Sequence, residues 1–380
     1  MHNKYMSSKL NPIRFFATNR DLDDLGRDAN RDDRIRLQQG GYHWVDMKKY
    51  MAHYLSTTDS TTMPPDAIVQ NSQKIVFDNF LSKPTIKRII IGIHGFNVPF
   101  HGALTSFSLL ADTLSIAFKK HNTTLLTDEP SADLDLGNGD LTAFVGFSWP
   151  SNGKVLDYLS DRAEAVQTAP ALANLIGYIR TQNPEAKIHI IAHSMGNYLA
   201  CNMLKGLINE TFKPILFSDN AEIKAKIDQQ LKRIDKGGRD MFFIDRYLML
   251  APDVERREVT QCDIDGDKSS YLGPFYAGIK HLVSETHLFY SRYDNALKAS
   301  VAEKDFIQET LQKGKEIFTG QDLQKRWENS LGLNPLPSLV PDNMYSHNTT
   351  VLTNRTIDHG DYFDAISIAE RMAEIIMSAV

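Results

Sequence analysis

Residues 187–199 read K-I-H-I-I-A-H-S-M-G-N-Y-L. A β-branched apolar run enters a small-x-Ser-x-small turn and leaves as a segment of helical character. The spacing has a physical reason. A serine whose hydroxyl is to project alone must sit on a very sharp turn, and the residues two before and two after it must be small for strand and helix to pass closely. Ala192 and Gly196 meet that need on either side of Ser194. The pentapeptide is short, and an ordinary strand-to-helix loop with a buried serine would read the same way. The surrounding chain has to separate the two.

Working outward, 88–93 (R-I-I-I-G-I) and 141–147 (L-T-A-F-V-G-F) are nearly unbroken apolar runs, as expected of strands covered on both faces of a parallel sheet. Residues 13–18 and 74–81 also read as strands, with a charge-dense loop or short helix at 21–36 between them. Helical periodicity covers 104–118, 159–179 with a bend at Pro170, and 197–208. Further strands are expected at 247–250, 287–290 and, last, 350–357. In the final helix Tyr362, Ile366, Ala369, Ala373 and Ile376 share a face, Phe363, Ile368, Met372 and Ile375 lie beside it, and Asp361 offers an N-cap. The alternation predicts an α/β fold, a doubly wound, mostly parallel sheet whose ligands bind beyond the strand carboxyl ends.

With no Pro/Gly/Ser-rich linker, 1–380 is expected to be one domain, its first 84 residues supplying edge strands and loops. Three stretches interrupt the alternation: 209–240, 255–282 and 313–343. The first carries Ile223, Ile227, Leu231 and Ile234 at helical spacing before Gly237 and Gly238. These insertions would form a cap, surface decoration or a subunit contact; no feature of the sequence sets the oligomeric state.

Hydrophobic residues make up 42% and charged residues 23%, which permits a large core. A formal net charge of −5 with no basic stripe gives no compositional support for a surface that binds nucleic acid or an anionic membrane. Cys201 and Cys262 provide neither a disulfide framework nor zinc spacing. The N-terminus lacks the apolar core of a secretory signal, and no apolar run is long enough for a transmembrane segment. Cytoplasmic residence is the expectation, with export that reads no N-terminal signal left open.

Where a serine on such a strand-to-helix turn is the nucleophile, its partners follow a fixed order along the chain: oxyanion loop, serine, acid, histidine, each at the carboxyl end of a different strand. His94-Gly95-Phe96-Asn97 follows the 88–93 strand directly, so the Phe96 N–H is the first candidate oxyanion donor and the Met195 N–H, just after Ser194, the second. Of twelve histidines only His347 and His359 lie beyond the acid-bearing strand. His359, in D-H-G-D-Y-F between the last strand and last helix, is the candidate general base, whereas His347 precedes that strand. Two acids qualify by position: Asp294, after 287–290, and Asp253, one strand earlier in L-A-P-D. Asp294 is preferred because it precedes the last strand.

The chain resembles a bacterial α/β-hydrolase family catalogued as domain of unknown function nine hundred, a group of esterase- and lipase-like proteins. The likeness rests on F-F-A-T-N-R at 15–20, I-H-G-F-N at 93–97, F-S-W-P-S at 147–151, A-H-S-M-G-N at 192–197, L-A-P-D at 250–253 and Y-S-R-Y-D-N-A-L at 290–297, with the terminal histidine before an aromatic. It implies Ser194, Asp294 and His359 as a triad and supplies no substrate.

Asp263, Asp265 and Asp267 space like the start of a calcium loop, but Lys268 stands at the glycine position and Pro274 at that of the bidentate Glu. No phosphate-cradling or dinucleotide motif is present, and no cofactor or metal is expected. Asp133 to Asp140 reads as a tight turn, and Trp149 as either acyl-pocket lining or packing. The expectation is a serine hydrolase acting on a small-molecule or lipid ester. Thioesterase, lipase, acyltransferase and peptidase would use the same residues, and a catalytically silent binding or scaffold protein would keep only the fold.

Overall fold

The computed structural model describes residues 13–20, 40–47, 49–50, 80–128, 140–151, 158–216, 242–263, 270–300 and 329–378. Its strands are β1 (Phe15–Thr18), β2 (His43–Asp46), β3 (Ile86–Ile93), β4 (Thr124–Leu126), β5 (Leu141–Ser148), β6 (Lys187–His193), β7 (Ile244–Leu250), β8 (Gln261–Asp263), β9 (Ser270–Leu272), β10 (Val283–Tyr290) and β11 (Met344–Asn348). Nine of them form one sheet in the order β11-β10-β7-β6-β3-β5-β1-β2, with β4 also on β5. Every pair is parallel except β1 with β2. Strands β8 and β9 make a separate antiparallel pair.

The helices explain why the central strands carry no polar face. On one side lie α2 (Tyr158–Gln182) and α3 (Met195–Leu216), with α4 (Tyr276–Leu282) against α3; on the other, α1 (Phe100–Lys119) packs on α6 (Ile366–Met377). Side chains alternate between the two layers. Ile89, Ile91 and Ile93 of β3 join Ile188, Ile190, Leu172 and Leu199. Ile90, Phe144 and Ile191 join Phe107, Leu114, Ile368 and Met372. Each such side chain taken from water contributes about 1.5–3 kcal/mol, so a polar residue on either face would be costly.

Strand order reverses between β3 and β6: β5 lies beyond β3, and β7, β10 and β11 lie beyond β6. The crevice of a doubly wound sheet opens at that switch, outside the strand carboxyl ends. His94 follows β3 and Ser194 follows β6, so the two motifs flank it.

Several boundaries differ from expectation. Residues 350–357 are not the last strand. That strand is β11, one segment earlier, and His347 lies on it. The β-branched T-T-V-L-T run forms a short helix, α5 (Thr349–Thr353), because the Asn348 side chain caps the N–H groups of Thr350 and Val351 and Asn354 closes it in the left-handed conformation. The final helix starts at Ile366 with Ala365 at its N-cap; Asp361 instead accepts from the Asp358 N–H, opening a separate 3₁₀ turn. Phe80 and Leu81 are helical, not strand, and 74–79 lie outside the described residues. So do the 21–36 loop, the turn before β5, the amphipathic pattern at 223–234 and most of 313–343. The short strands β2, β4, β8 and β9 were not anticipated.

Candidate active site

Ser194 sits at φ +53°, a left-handed backbone that costs a non-glycine residue about 1–2 kcal/mol. Neighbouring groups hold it there. Its N–H donates to Leu250 O (3.0 Å), and its carbonyl accepts from the N–H groups of Asn197 (3.0 Å) and Asp253 (3.2 Å). The buried Asn197 amide lies within hydrogen-bond reach of the carbonyls of Ala192, Ser194 and Leu250 (3.0, 3.2 and 3.2 Å), tying strand end, turn and neighbouring strand together. A Cβ on Gly196 would run into His94 O and stand 2.8 Å from Ile93 O; one on Gly95 would stand 2.7 Å from the Ser194 Cβ. The two motifs touch, and both glycines are required by the contact.

His94 organises the loop after β3. Its Nε2 accepts from the Trp149 N–H (3.1 Å), so Nδ1 carries the proton and donates to Gly95 O (2.9 Å). Burial, aided by the Arg20 charge, pushes its pKa down to about 3, keeping the ring neutral. In a trans peptide the C=O and the following N–H point opposite ways, so pinning the Gly95 carbonyl sets the direction of the Phe96 N–H. Behind it the buried Arg20 donates to Ser148 Oγ (3.1 Å) and Val98 O (2.7 Å). Trp149 is fully buried, stacked 5.4 Å from the His94 ring with its Nε1–H on His94 O, so packing is its observed role.

On the other side of the switch, His359 Nδ1 lies 2.8 Å from Oδ2 of the fully buried Asp294. The other carboxylate oxygen caps the helical turn starting at Asn295 by accepting from the Leu297 N–H (2.9 Å). Asp358 joins the two loops, its Oδ1 accepting from the N–H groups of Asn295 (3.0 Å) and His359 (2.9 Å). Burial works against its ionisation, but those N–H groups and His359 hold its carboxyl below the usual value. Ser291 Oγ donates to Ile357 O, a further tie between the same loops.

Asp253, the alternative acid, and His347 hold other partners. The Asp253 carboxylate accepts from the hydroxyls of Tyr158 and Ser300. Tyr158 also receives the Arg162 guanidinium (3.3 Å), which stacks 3.6 Å over the Tyr198 ring and pairs with Glu258 at 3.5 Å. His347 Nε2 meets His287 Nδ1 at 3.1 Å, and His287 Nε2 meets Glu285 (3.1 Å). Cys201 is a free, buried thiol on α3, its pKa pushed up to about 12 by burial. Among the described residues no group of three or more His, Cys, Asp or Glu side chains converges as a metal site, and no helix is long and apolar enough to cross a membrane.

Residues 69–355 match the model of a family described as alpha/beta hydrolases of unknown function (DUF900). An uncharacterized protein, alr1448, of Nostoc sp. (strain PCC 7120) is 66% identical over 368 residues, covering 97% of this chain and 94% of that one. Among solved structures, the product of gene lin2722 from Listeria innocua aligns over 77% of this chain and 95% of its own, at TM-score 0.34 and 10% identity. Aspergillus fumigatus lipase B aligns over 74% and 50% respectively, at TM-score 0.33 and 12% identity. Likeness so distant bears on neither activity nor substrate.

Proposed function

The chain belongs to the family of alpha/beta hydrolases of unknown function (DUF900), and from that premise we propose that it is a serine hydrolase cleaving carboxylic esters through an acyl-enzyme. The observation that carries this reading is the 2.8 Å contact between His359 Nδ1 and the buried Asp294, at the same end of the sheet as the Ser194 turn.

In this reading Ser194 Oγ attacks the ester carbonyl carbon while His359 Nε2 takes its proton. Asp294 holds the imidazole with Nδ1 as donor and stabilises the imidazolium that forms. The N–H groups of Phe96 and Met195 receive the negative charge developing on the carbonyl oxygen. The tetrahedral intermediate collapses, the alcohol leaves with the proton from His359, and the acyl group stays on Ser194. Water, deprotonated by His359, then attacks that acyl group and releases the acid and the free serine. One water is consumed and one ester bond broken. The three insertions, 209–240, 255–282 and 313–343, are where acyl-chain preference is expected to reside.

The test is turnover of p-nitrophenyl esters of rising chain length by wild type, Ser194→Ala and His359→Ala. Turnover by wild type and a loss on the order of 10⁶ in kcat for each variant are expected, as for residues acting as a unit. EDTA should leave the rate unchanged, since the imidazole, not a metal, activates the nucleophile. Near-wild-type turnover by Ser194→Ala would overturn the reading.

A further inference from the structure

The strand that delivers Ser194 ends on a second histidine, His193, which the chemistry above does not use. Its ring is only 7% exposed and lies 4.4 Å from the His359 ring, with Phe363 at 4.7 Å on another side. Its Nε2 is 2.8 Å from the His359 carbonyl oxygen. A carbonyl oxygen only accepts, so Nε2 must carry the proton and donate. Burial, and then the neighbouring His359, hold the His193 pKa well below its ordinary value, which keeps this ring neutral beside a base that becomes charged.

We propose that His193 is a positioning residue: its Nε2–H, donated to the His359 carbonyl, fastens the histidine-bearing loop to the strand that carries Ser194. This rests on the reading of His359 as the general base. The reason lies in how His359 is held. Its N–H is tied to Asp358 and its Nδ1 to Asp294, both within the loops after β10 and β11. Those ties fix the histidine to the acid and leave its distance to the serine unset. The His193 bond crosses 166 residues of sequence and joins the two halves of the site directly. Because Ser194 is the next residue, any shift of the His359 backbone relative to the nucleophile must stretch it.

The experiment compares His193→Gln, His193→Asn and His193→Leu with wild type, measuring kcat and KM on one activated ester and thermal melts. Gln can place an amide N–H near the histidine Nε2 position, whereas Asn is too short and Leu donates nothing. His193→Gln should stay within about threefold of wild-type kcat, while the Asn and Leu variants should lose about 30-fold in kcat with KM little changed, the scale of a small misplacement of reacting groups. The downfield proton resonance of the His359–Asp294 hydrogen bond should persist in the Gln variant and broaden in the other two. Should His193→Leu not fold, the Gln and Asn pair decides. Equal activity in all variants, or equal loss in Gln and Leu, overturns the proposal. A wild type that turns over no ester and takes no fluorophosphonate would instead sink the parent reading, and a sharp resonance in His193→Asn would then overturn the tether by itself.

Discussion

Asp294 and Asp253 are both buried carboxylates following strands, and what separates them is which partners they hold. Asp294→Asn would keep the Leu297 cap but present no charge to the imidazolium and favour the wrong tautomer, so kcat should fall by about 10⁴ with KM little altered. Asp253→Asn disturbs the Tyr158 and Ser300 hydroxyls and should show its effect in the melt, about 1–3 kcal/mol, with kcat changed less than about tenfold. Parallel kinetics and melts on the two variants check this; the reverse ranking would move the acid one strand earlier. The strain at Ser194 has its own signature. Both Ala and Ser dislike φ +53°, so Ser194→Gly should be more stable than Ser194→Ala by about 1 kcal/mol, against the usual ranking of these residues. Ser194 and His359 could be picked out as candidates in the sequence because the order of parts along the chain restricts where each must lie, whereas the same order left Asp294 and Asp253 both open as the acid. Arg20, Asn197, His193 and Asp358 could not be picked out, since each acts through a contact made only when distant segments meet, as when Arg20 reaches Ser148 and Val98.

Among elements, the strand-turn-helix at β6 and α3 was legible because its requirements are local: an apolar run, two small residues and a helical pattern. Its glycine gives a sharp contrast with a second glycine of the same helix. Gly196→Ala would drive a Cβ into the backbone of His94 and Ile93, and should cost at least about 1–3 kcal/mol and displace the loop bearing Phe96, with turnover falling accordingly. Gly206→Ala meets nothing within 4 Å on α3 and should stabilise by about 0.5–1 kcal/mol. Chemical denaturation of both variants checks the pair; similar shifts of one sign would contradict the close passage of strand and helix. The misplaced last strand shows the opposite lesson. T-T-V-L-T has strand composition, but composition at that length is weaker than the Asn348 cap, and β11 itself, M-Y-S-H-N, is an edge strand with little apolar pattern to read.

At the scale of the whole molecule, the parallel order of the sheet followed from the unbroken apolar runs, because helices on both faces leave no polar side to those strands. The short edge strands did not, as three or four residues carry too little pattern. The same burial is expected to lower stability in acid in a defined way. His94 is held down to about 3, and His287 and His347 to about 4, in each case by burial first and then by neighbouring charges or histidines; His193 is held well below its ordinary value. Unfolded, each would bind a proton below about pH 6.5, whereas folded they stay neutral to about pH 4 or lower. The unfolded state therefore binds more protons in that window, and stability falls as pH drops from about 6.5 to about 4, the buried His94 and His193 contributing most and the part-exposed His347 least because solvent screens it. Urea midpoints at pH 7, 6 and 5 should decline steadily; a constant midpoint would contradict the neutral, buried state of these rings.

The central claim is that Ser194, held at the β3–β6 switch and served by His359 and Asp294, is a reactive nucleophile. Intact-mass measurement after treatment with a fluorophosphonate tests it most directly, followed by peptide mapping of the adduct. One phosphonyl group on the peptide containing Ser194 is expected in wild type, with none in Ser194→Ala and greatly slowed addition in His359→Ala. A wild type that takes no label, or an adduct that persists in Ser194→Ala, would contradict it.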